Sequence, residues 1–503
     1  MNISLLLEMA AEAAPDRIAL VCDGKRWTYG DLLAAARGAF ELIQESGAEY
    51  VALLDESSEA SVIALFGAAL AGVPYCPLNY RLADADLAAL LDRISPALVV
   101  GDEERVTRLQ AGFSREWGHT IYAREEFTLK AQETVPADDS REYDMGEGVA
   151  VQLFTSGTTA APKAAILRHS NLLGYILGTV EFGAAEESEA ALVVVPPYHI
   201  AGISALMSSI YANRTIVMLP AFSPEGWLQL VESDKVTNAF VVPTMLGRII
   251  EAFEKAPTTD VSSLRAIAYG GGKMPLEVIT KALERFPSAG FTNAYGLTET
   301  SSTIALLGPD EHRAALISDD PKVRARLSSL GQPLPTVEIE IRDEDGRVLG
   351  PNEPGEIYVR GDQVSGEYKG KSALVEGGWF PTRDAGFLDE DGYLFLSGRA
   401  DDVIVRGGEN MSPGEIEDVL LTHPAIADAC ACAVPSVEWG EAVGTALVLR
   451  DGFEQPEEAE LKDLVRARLR SSRVPEKIIF VPELPYNEMG KLLRREIRAI
   501  LAD

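Results

Sequence analysis

Along the first 330 or so residues, short apolar runs alternate with stretches in which apolar residues return every three or four positions. The runs YVALL at 50–54, ALVV at 97–100, AALVVVPP at 190–197, TIVML at 215–219, AFVVP at 239–243 and LRAIAYGG at 264–271 are predicted as buried strands. RWTYGDLLAAARGAFELI, from Arg26, reads as a helix, with Thr28 three positions before Asp31 in a variant of the capping box. Strand and helix in regular succession imply a large α/β core with parallel sheets. No clean internal repeat and no low-complexity tract interrupts it.

Near residue 330 the texture changes to short alternating strands. VEIEIRDEDGRVL and GFLDEDGYLFLSG each set an Asp-Gly pair between alternating runs, at Asp345-Gly346 and Asp391-Gly392, and both read as hairpin turns. Their acidic clusters lack calcium-loop spacing. A smaller α/β unit follows SGRADD, and the expected boundary lies at Arg399 to Asp402, among Gly398, Gly407 and Gly408.

Composition narrows the classes. With 503 residues, 47% of them apolar, the chain can bury more than one core. A formal charge of -32 disfavours nucleic acid or an anionic membrane as the main partner. Four cysteines and no C-x-x-C pair fit a reducing cytoplasm. Cys430 and Cys432 share a strand face, where packing is expected rather than metal. The start, MNISLLLEMA, lacks a basic segment and does not read as a secretory signal. VIALFGAALAGVPYCPL, broken by Gly67, Gly72 and Pro74, is too short to span a bilayer.

The stretch LFTSGTTAAPKAAILRH, Leu153 to His169, is where chemistry first shows. It is not a P-loop, because Lys163 follows Pro162 and precedes Ala164 with no hydroxyl after it for magnesium. Thr155, Ser156, Thr158 and Thr159 nevertheless surround Gly157 with hydroxyl donors. Gly157 can turn backbone N–H groups toward an anion, and Lys163 adds a mobile charge. Pro162 stiffens the exit, and HSNLLGYIL is predicted to start a helix capped by Ser170. Taken alone, the stretch would also pass as a polar surface loop.

Three further stretches remove it from isolation. TSGTTAAPKAA, NAYGLTET, GWFPTRDAGFLDEDGYLFLSGRADDVIVRGGENMSPGEIEDVL and NEMGKLLRREI stand in the order and spacing of the adenylate-forming superfamily, which the chain resembles from TYGDL to GKLLRREI. The resemblance implies an N-terminal domain of stacked α/β sheets plus a small β-barrel-like part, residues 1–400. A mobile α+β domain, residues 401–503, would complete the chain. It also implies two steps: a carboxylate attacks the α-phosphate of ATP to give acyl-AMP and pyrophosphate, and a thiol then takes the acyl group. Nucleotidyl transfer of this kind needs alignment and charge stabilisation more than covalent help.

By resemblance, the residues 155–159 and Lys163 cover the β and γ phosphates, and Thr158 and Glu299 hold Mg2+. Tyr295 stacks on adenine within Asn293, Ala294, Tyr295 and Gly296, and Thr298 offers a hydroxyl to phosphate. Asp384 takes the ribose hydroxyls, a task for an acceptor-only carboxylate, and Arg399 reaches ribose and phosphate. Gly270, Gly271 and Gly272 let a flat base lie against backbone. Lys491 bridges carboxylate and α-phosphate, and His199 gates the acid, with a packed core histidine as the alternative. Asp401 matches the hinge, and Gly407, Gly408 and Glu409 line a tunnel for coenzyme A in a second pose. Arg466, Arg470 and Arg473 are candidates for its phosphates, or else a solvated basic face.

Departures from the family pattern are Ala160, Ala164 and Arg383, each where glycine is usual; none removes a charged or hydroxyl group. Tyr198-His199 occupies the place where amino-acid-activating members carry an aspartate, so an acid without an ammonium group is expected. The implied walls, Ile200 to Ser204, Val242 to Thr244, Tyr269 to Gly271, Asn293 and Ser301 to Ile304, suit an uncharged hydrocarbon or aryl acid. No carrier domain follows Asp503 and no fatty acyl-AMP ligase insertion is visible, so coenzyme A is the expected acceptor and a homodimer is left open. Alternatives are a ligase that loads a carrier protein, a nucleotide-binding relative without turnover, and a luciferase-like oxygenase.

Overall fold

The computed structural model describes residues 1–112, 118–135, 148–155, 162–399, 402–406, 409–437, 439–486 and 492–502. Two large sheets carry most of the chain. One runs, in spatial order, Gln332–Pro333, Ser302–Leu307, Gly290–Leu297, Ala266–Gly270, Asn238–Val241, Ala190–Val193, Thr215–Met218, Ile18–Cys22 and Lys25–Thr28. From Gly290–Leu297 to Ile18–Cys22 its neighbours are parallel, as the succession of strand and helix predicts. The other runs Lys371–Ser372, Glu367–Tyr368, Lys163–Arg168, Val149–Thr155, Tyr75–Pro77, Tyr50–Leu54, Ala97–Gly101 and Thr120–Ala123.

A single apolar core joins the two sheets, with Leu20 and Ile216 from the first and Leu53, Val100 and Leu153 from the second, and helices between them. Helix Glu59–Ala71 is buried along nearly its whole length, which explains its largely apolar sequence. A Cβ on Gly67 would sit 2.8 Å from the Ala39 Cβ, so glycine lets this helix press against Tyr29–Ser46. Among the described residues no helix is long and apolar enough to cross a membrane.

Helix Tyr29–Ser46 starts as its sequence predicts. The Thr28 hydroxyl accepts from the Asp31 N–H at 3.0 Å, and the Asp31 carboxylate accepts from the Thr28 N–H at 3.2 Å. The cap expected at Ser170 is corrected. Helix His169–Thr179 is capped two residues earlier, at Arg168, because the Asn171 side chain accepts the Arg168 N–H at 3.1 Å and leaves Ser170 inside the first turn.

Strands Val337–Arg342, Gly355–Gly361, Phe380–Leu388 and Leu394–Arg399 form a four-stranded antiparallel sheet. Asp391-Gly392 makes the expected hairpin: Gly392 lies at φ +79°, and the Asp389 carboxylate accepts the Asp391 and Tyr393 N–H groups at 2.9 Å. Asp345-Gly346 also turns, but it closes only the bridge Arg342 to Val348, and the partner strand waits until Gly355. The prolines at 351 and 354 keep the intervening segment out of the ladder. Among the described residues no three His, Cys, Asp or Glu side chains cluster as metal ligands.

A five-stranded sheet, built on Ile426–Ser436 and Gly440–Leu449, carries the C-terminal unit with helices Pro413–Leu420, Glu458–Arg468 and Arg494–Ala502. Cys430 and Cys432 are free and fully buried, packed with Ile497 and Leu501 of the last helix. The unit meets the rest of the chain through Lys273 Nζ, 2.7 Å from each Asp418 oxygen, and Arg450, 3.7 Å from Glu277.

Candidate active site

The hydroxyl loop is the connection of a hairpin. Val149–Thr155 pairs antiparallel with Lys163–Arg168, setting Thr155 opposite Lys163 at its mouth. Arg93 donates to the Pro162 carbonyl at 2.8 Å and so pins the exit. Ser156, Gly157, Thr158 and Thr159 lie outside the described residues, as do Asp401, Gly407, Gly408 and Lys491 and the side chain of Glu409.

Against the hairpin's outer strand runs Glu367–Tyr368, in register Tyr368 to Ala165. Tyr368 meets two predicted residues at once. Its phenol donates to Glu299 Oε1 at 2.6 Å, and Lys163 Nζ lies 5.6 Å from its ring centroid. Burial, then the nearby Glu299 charge, raises the Tyr368 pKa, so the phenol keeps its proton. Glu299 and Thr298 sit on the short 3-10 turn Thr298–Thr300 at the end of strand Gly290–Leu297. The Glu299 carbonyl accepts from the Ser365 and Gly366 N–H groups at 2.9 and 3.2 Å.

A second cluster forms around Asp384, which is buried. Its Oδ2 accepts from the Tyr295 phenol at 2.6 Å and its Oδ1 from Arg399 Nη1 at 2.9 Å. Burial, then Asp384, drives the Tyr295 pKa well above its ordinary value. The Tyr295 ring packs with Ile304, Val337 and Ile341, leaving little face for stacking. Arg383 lies exposed at φ +62°, in the left-handed region, with its N–H donating to Glu356 Oε1 at 3.1 Å.

Gly270 and Gly271 behave as their positions predict. A Cβ on Gly270 would stand 2.3 Å from the Ala294 carbonyl, and Gly271 turns at φ +81°, so the backbones of these two strand ends lie close together. Gly272 is exposed beyond them and a Cβ on Gly296 would collide with Ser302. Asn293 turns inward, donating to the Ser329 carbonyl at 2.9 Å, and so braces the strand.

His199 precedes helix Ile200–Tyr211, and its ring lies tilted against Tyr198 with centroids 4.5 Å apart. Its Nε2 is buried and has no hydrogen-bond partner among the described residues. Burial, and secondarily the Arg81 charge, lowers its pKa to about 4. One turn on, Ser204 shares a 3.0 Å hydroxyl contact with Ser302, tying this helix to the strand after Glu299. Ser301 and Ser302 both hold positive φ, +56° and +129°, and the buried Ser301 Oγ has no partner among the described residues. Strained backbone and unmatched polar atoms side by side are a frequent mark of a ligand site.

On the C-terminal unit, Glu415, Arg468, Leu469, Arg470 and Arg473 line a cleft of about 490 Å³. Arg473 is held by Glu415 at 2.9 Å, and Arg466 pairs with Asp463.

Known proteins are similar to this chain over nearly its whole length. The AMP-binding enzyme family model matches residues 7–369, and the AMP-binding enzyme C-terminal domain model matches residues 415–491. A 2-succinylbenzoate–CoA ligase of Geobacillus kaustophilus is 31% identical, with 98% of this chain and 97% of that protein covered. A fatty acid–acyl-carrier-protein ligase of Streptomyces coeruleorubidus is 31% identical, with 97% and 94% covered. Among solved structures, O-succinylbenzoate coenzyme A synthetase from Bacillus subtilis, in complex with ATP and magnesium ion, superimposes with a TM-score of 0.83 at 30% identity, 99% of each chain being covered.

Proposed function

From a chain that belongs to the AMP-binding enzymes, the adenylate-forming superfamily, we propose how named residues divide the work of an ATP-dependent acid–thiol ligase. The enzyme activates a carboxylic acid as acyl-AMP with release of pyrophosphate, then transfers the acyl group to coenzyme A. The observation that carries the residue assignment is the meeting of Lys163 and Glu299 on Tyr368 at the mouth of the hydroxyl hairpin. It sets a phosphate-seeking cation beside a carboxylate.

Mg2+ fits this site: the donors are hard oxygens, with no cluster of His or Cys among the described residues, and Mg2+ is commonly held by one or two carboxylates plus substrate phosphates. Glu299 and Thr158 would hold it, where it neutralises charge on the polyphosphate. Asp384 receives the ribose. A carboxylate has about four acceptor positions; Tyr295 and Arg399 take one on each oxygen, which leaves one on each for the two ribose hydroxyls. Adenine enters beside Gly270, Gly271 and Tyr295. Lys491 reaches the α-phosphate during adenylation. A division at residues 1–400 and 401–503, with Asp401 as hinge, lets Gly407, Gly408 and Glu409 face the acyl carbonyl for the thiol step.

His199 and the serines after Glu299 set the acid. With the His199 Nε2 and Ser301 Oγ unpaired among the described residues and the Ser204 and Ser302 hydroxyls nearby, the wall is more polar than a plain hydrocarbon requires. An aryl acid bearing further oxygen functions, of the 2-succinylbenzoate type, is therefore the first reading. A fatty acid, the class in the Streptomyces relative's name, is the second. Four buried free cysteines suit a cytoplasmic location, and a homodimer, to be checked by sedimentation, completes the proposal.

The test is pyrophosphate release over a panel of aryl, keto and fatty acids, with and without coenzyme A, followed by mass analysis of the thioester. Release with 2-succinylbenzoate but not with fatty acids supports the first reading, and the opposite pattern the second. Release that no acid stimulates would sink both.

A further inference from the structure

We propose that Tyr368 is a positioning residue for Glu299, fixing one carboxylate oxygen so that the other is presented to the metal. This rests on the reading of Glu299 as the metal carboxylate. The Tyr368 phenol donates to Glu299 Oε1 at 2.6 Å, a short bond of the charge-assisted kind. One acceptor position of Oε1 is thereby taken and the plane of the carboxylate set, and Oε2 is the oxygen with both positions left to coordinate.

The surroundings hold the tyrosine in place. Its strand is paired to the hairpin strand Lys163–Arg168, and the Lys369 N–H donates to the Ala164 carbonyl at 2.9 Å. The preceding Glu367 receives Arg168 through two bonds, at 2.8 and 2.9 Å. The Ser365 hydroxyl donates to the Ile166 carbonyl, while the Ser365 and Gly366 N–H groups hold the Glu299 carbonyl. Segment 365–368 therefore grips Glu299 by backbone and side chain and is anchored to the phosphate hairpin. A carboxylate loose about its last torsion would have to be ordered when the metal arrives; here that ordering precedes it. Groups that orient a metal ligand from behind typically change metal affinity by about 10- to 100-fold when removed.

The experiment compares, for each protein without acid substrate, the dissociation constant of ATP in EDTA with that of ATP in saturating Mn2+, using electron paramagnetic resonance to follow bound Mn2+. The ratio of the two constants is the metal-linked gain. Tyr368→Phe, which keeps the ring, is expected to lower that gain about 10-fold while leaving ATP binding in EDTA unchanged. Ser365→Ala, which loosens the same segment without touching the carboxylate, should keep the gain. In a Glu299→Gln background the Tyr368→Phe change should have no further effect. If Glu299→Gln collapses the gain but Tyr368→Phe leaves it intact, the positioning role is wrong. Equal losses in Tyr368→Phe and Ser365→Ala would also overturn it, in favour of general loosening. If Glu299→Gln itself leaves the gain unchanged, the metal reading of Glu299 fails and the proposal falls with it.

Discussion

Replacing Arg494 by leucine would strand a buried charge in the C-terminal unit. The guanidinium makes two bonds to Glu417, Nη1 to Oε1 at 2.7 Å and Nη2 to Oε2 at 2.9 Å, and the side chains are only 17% and 8% exposed. Without it, Glu417 keeps one donor, the Ala431 N–H at 2.8 Å. Breaking a buried pair from one side costs about 3–5 kcal/mol. Burial already raises the Glu417 pKa, with Arg494 the chief opposing influence, so the variant's carboxyl is pushed higher still. A folded value raised above the unfolded one gives stability that is lost as pH rises through it. The penalty should therefore be larger at pH 8 than at pH 5. Amide hydrogen exchange along Ile426–Ser436 is the assay, with exchange expected to quicken by roughly 10²- to 10³-fold at pH 8. The double variant Glu417→Met, Arg494→Leu should regain most of the loss, since apolar replacement of both partners is often neutral. A single variant that loses less than about 1 kcal/mol, or a double variant equally unstable, would refute the reasoning.

Asp384→Asn should weaken ATP binding by about 10-fold or more, because the neutral amide loses charge-assisted bonds to Arg399 and Tyr295; calorimetric titration with ATP checks this, and unchanged affinity would remove Asp384 from the site. His199, neutral in the fold with a pKa of about 4 against an ordinary 6.5, supports stability above pH 6.5 that drains away as pH falls toward 4. Urea unfolding of the wild type and His199→Phe at both ends of that window should show the wild type losing about 3 kcal/mol more, and a pH-independent difference would count against it. Arg383→Gly should raise stability by up to about 1 kcal/mol by relieving the left-handed backbone; a lower thermal midpoint would mean that the arginine side chain contributes more than its backbone costs.

Hydrophobic period made the α/β core legible: the runs predicted as strands reappear as strands with ends shifted by at most two residues, save that the strand from Ala190 stops at Val193, four residues short of the predicted run. The capping box at Thr28 was equally readable, since both its bonds are local. Local signals failed where a neighbour outside the window competed. Ser170 has the right side chain for a cap, yet Asn171 takes the Arg168 N–H instead. Asp345-Gly346 turns as it should, but the chain passes two prolines before it pairs again.

The site divides along the same line. Motif residues that lie close in sequence, such as Tyr295, Thr298 and Glu299, could be read together. What holds them could not: the Glu299 carboxylate is fixed by Tyr368, 69 residues later, and Asp384 by Tyr295, 89 residues earlier. Arg383 shows the converse. Read alone, an arginine where glycine is usual puts the ribose geometry in doubt. In the fold, the Thr382 hydroxyl accepts the Asp384 N–H at 3.1 Å and donates to the Ile357 carbonyl at 2.8 Å, while Glu356 accepts the Arg383 N–H. Three bonds thus bracket the turn and keep Asp384 aimed at Arg399, so the left-handed conformation that glycine adopts freely persists in a residue that resists it.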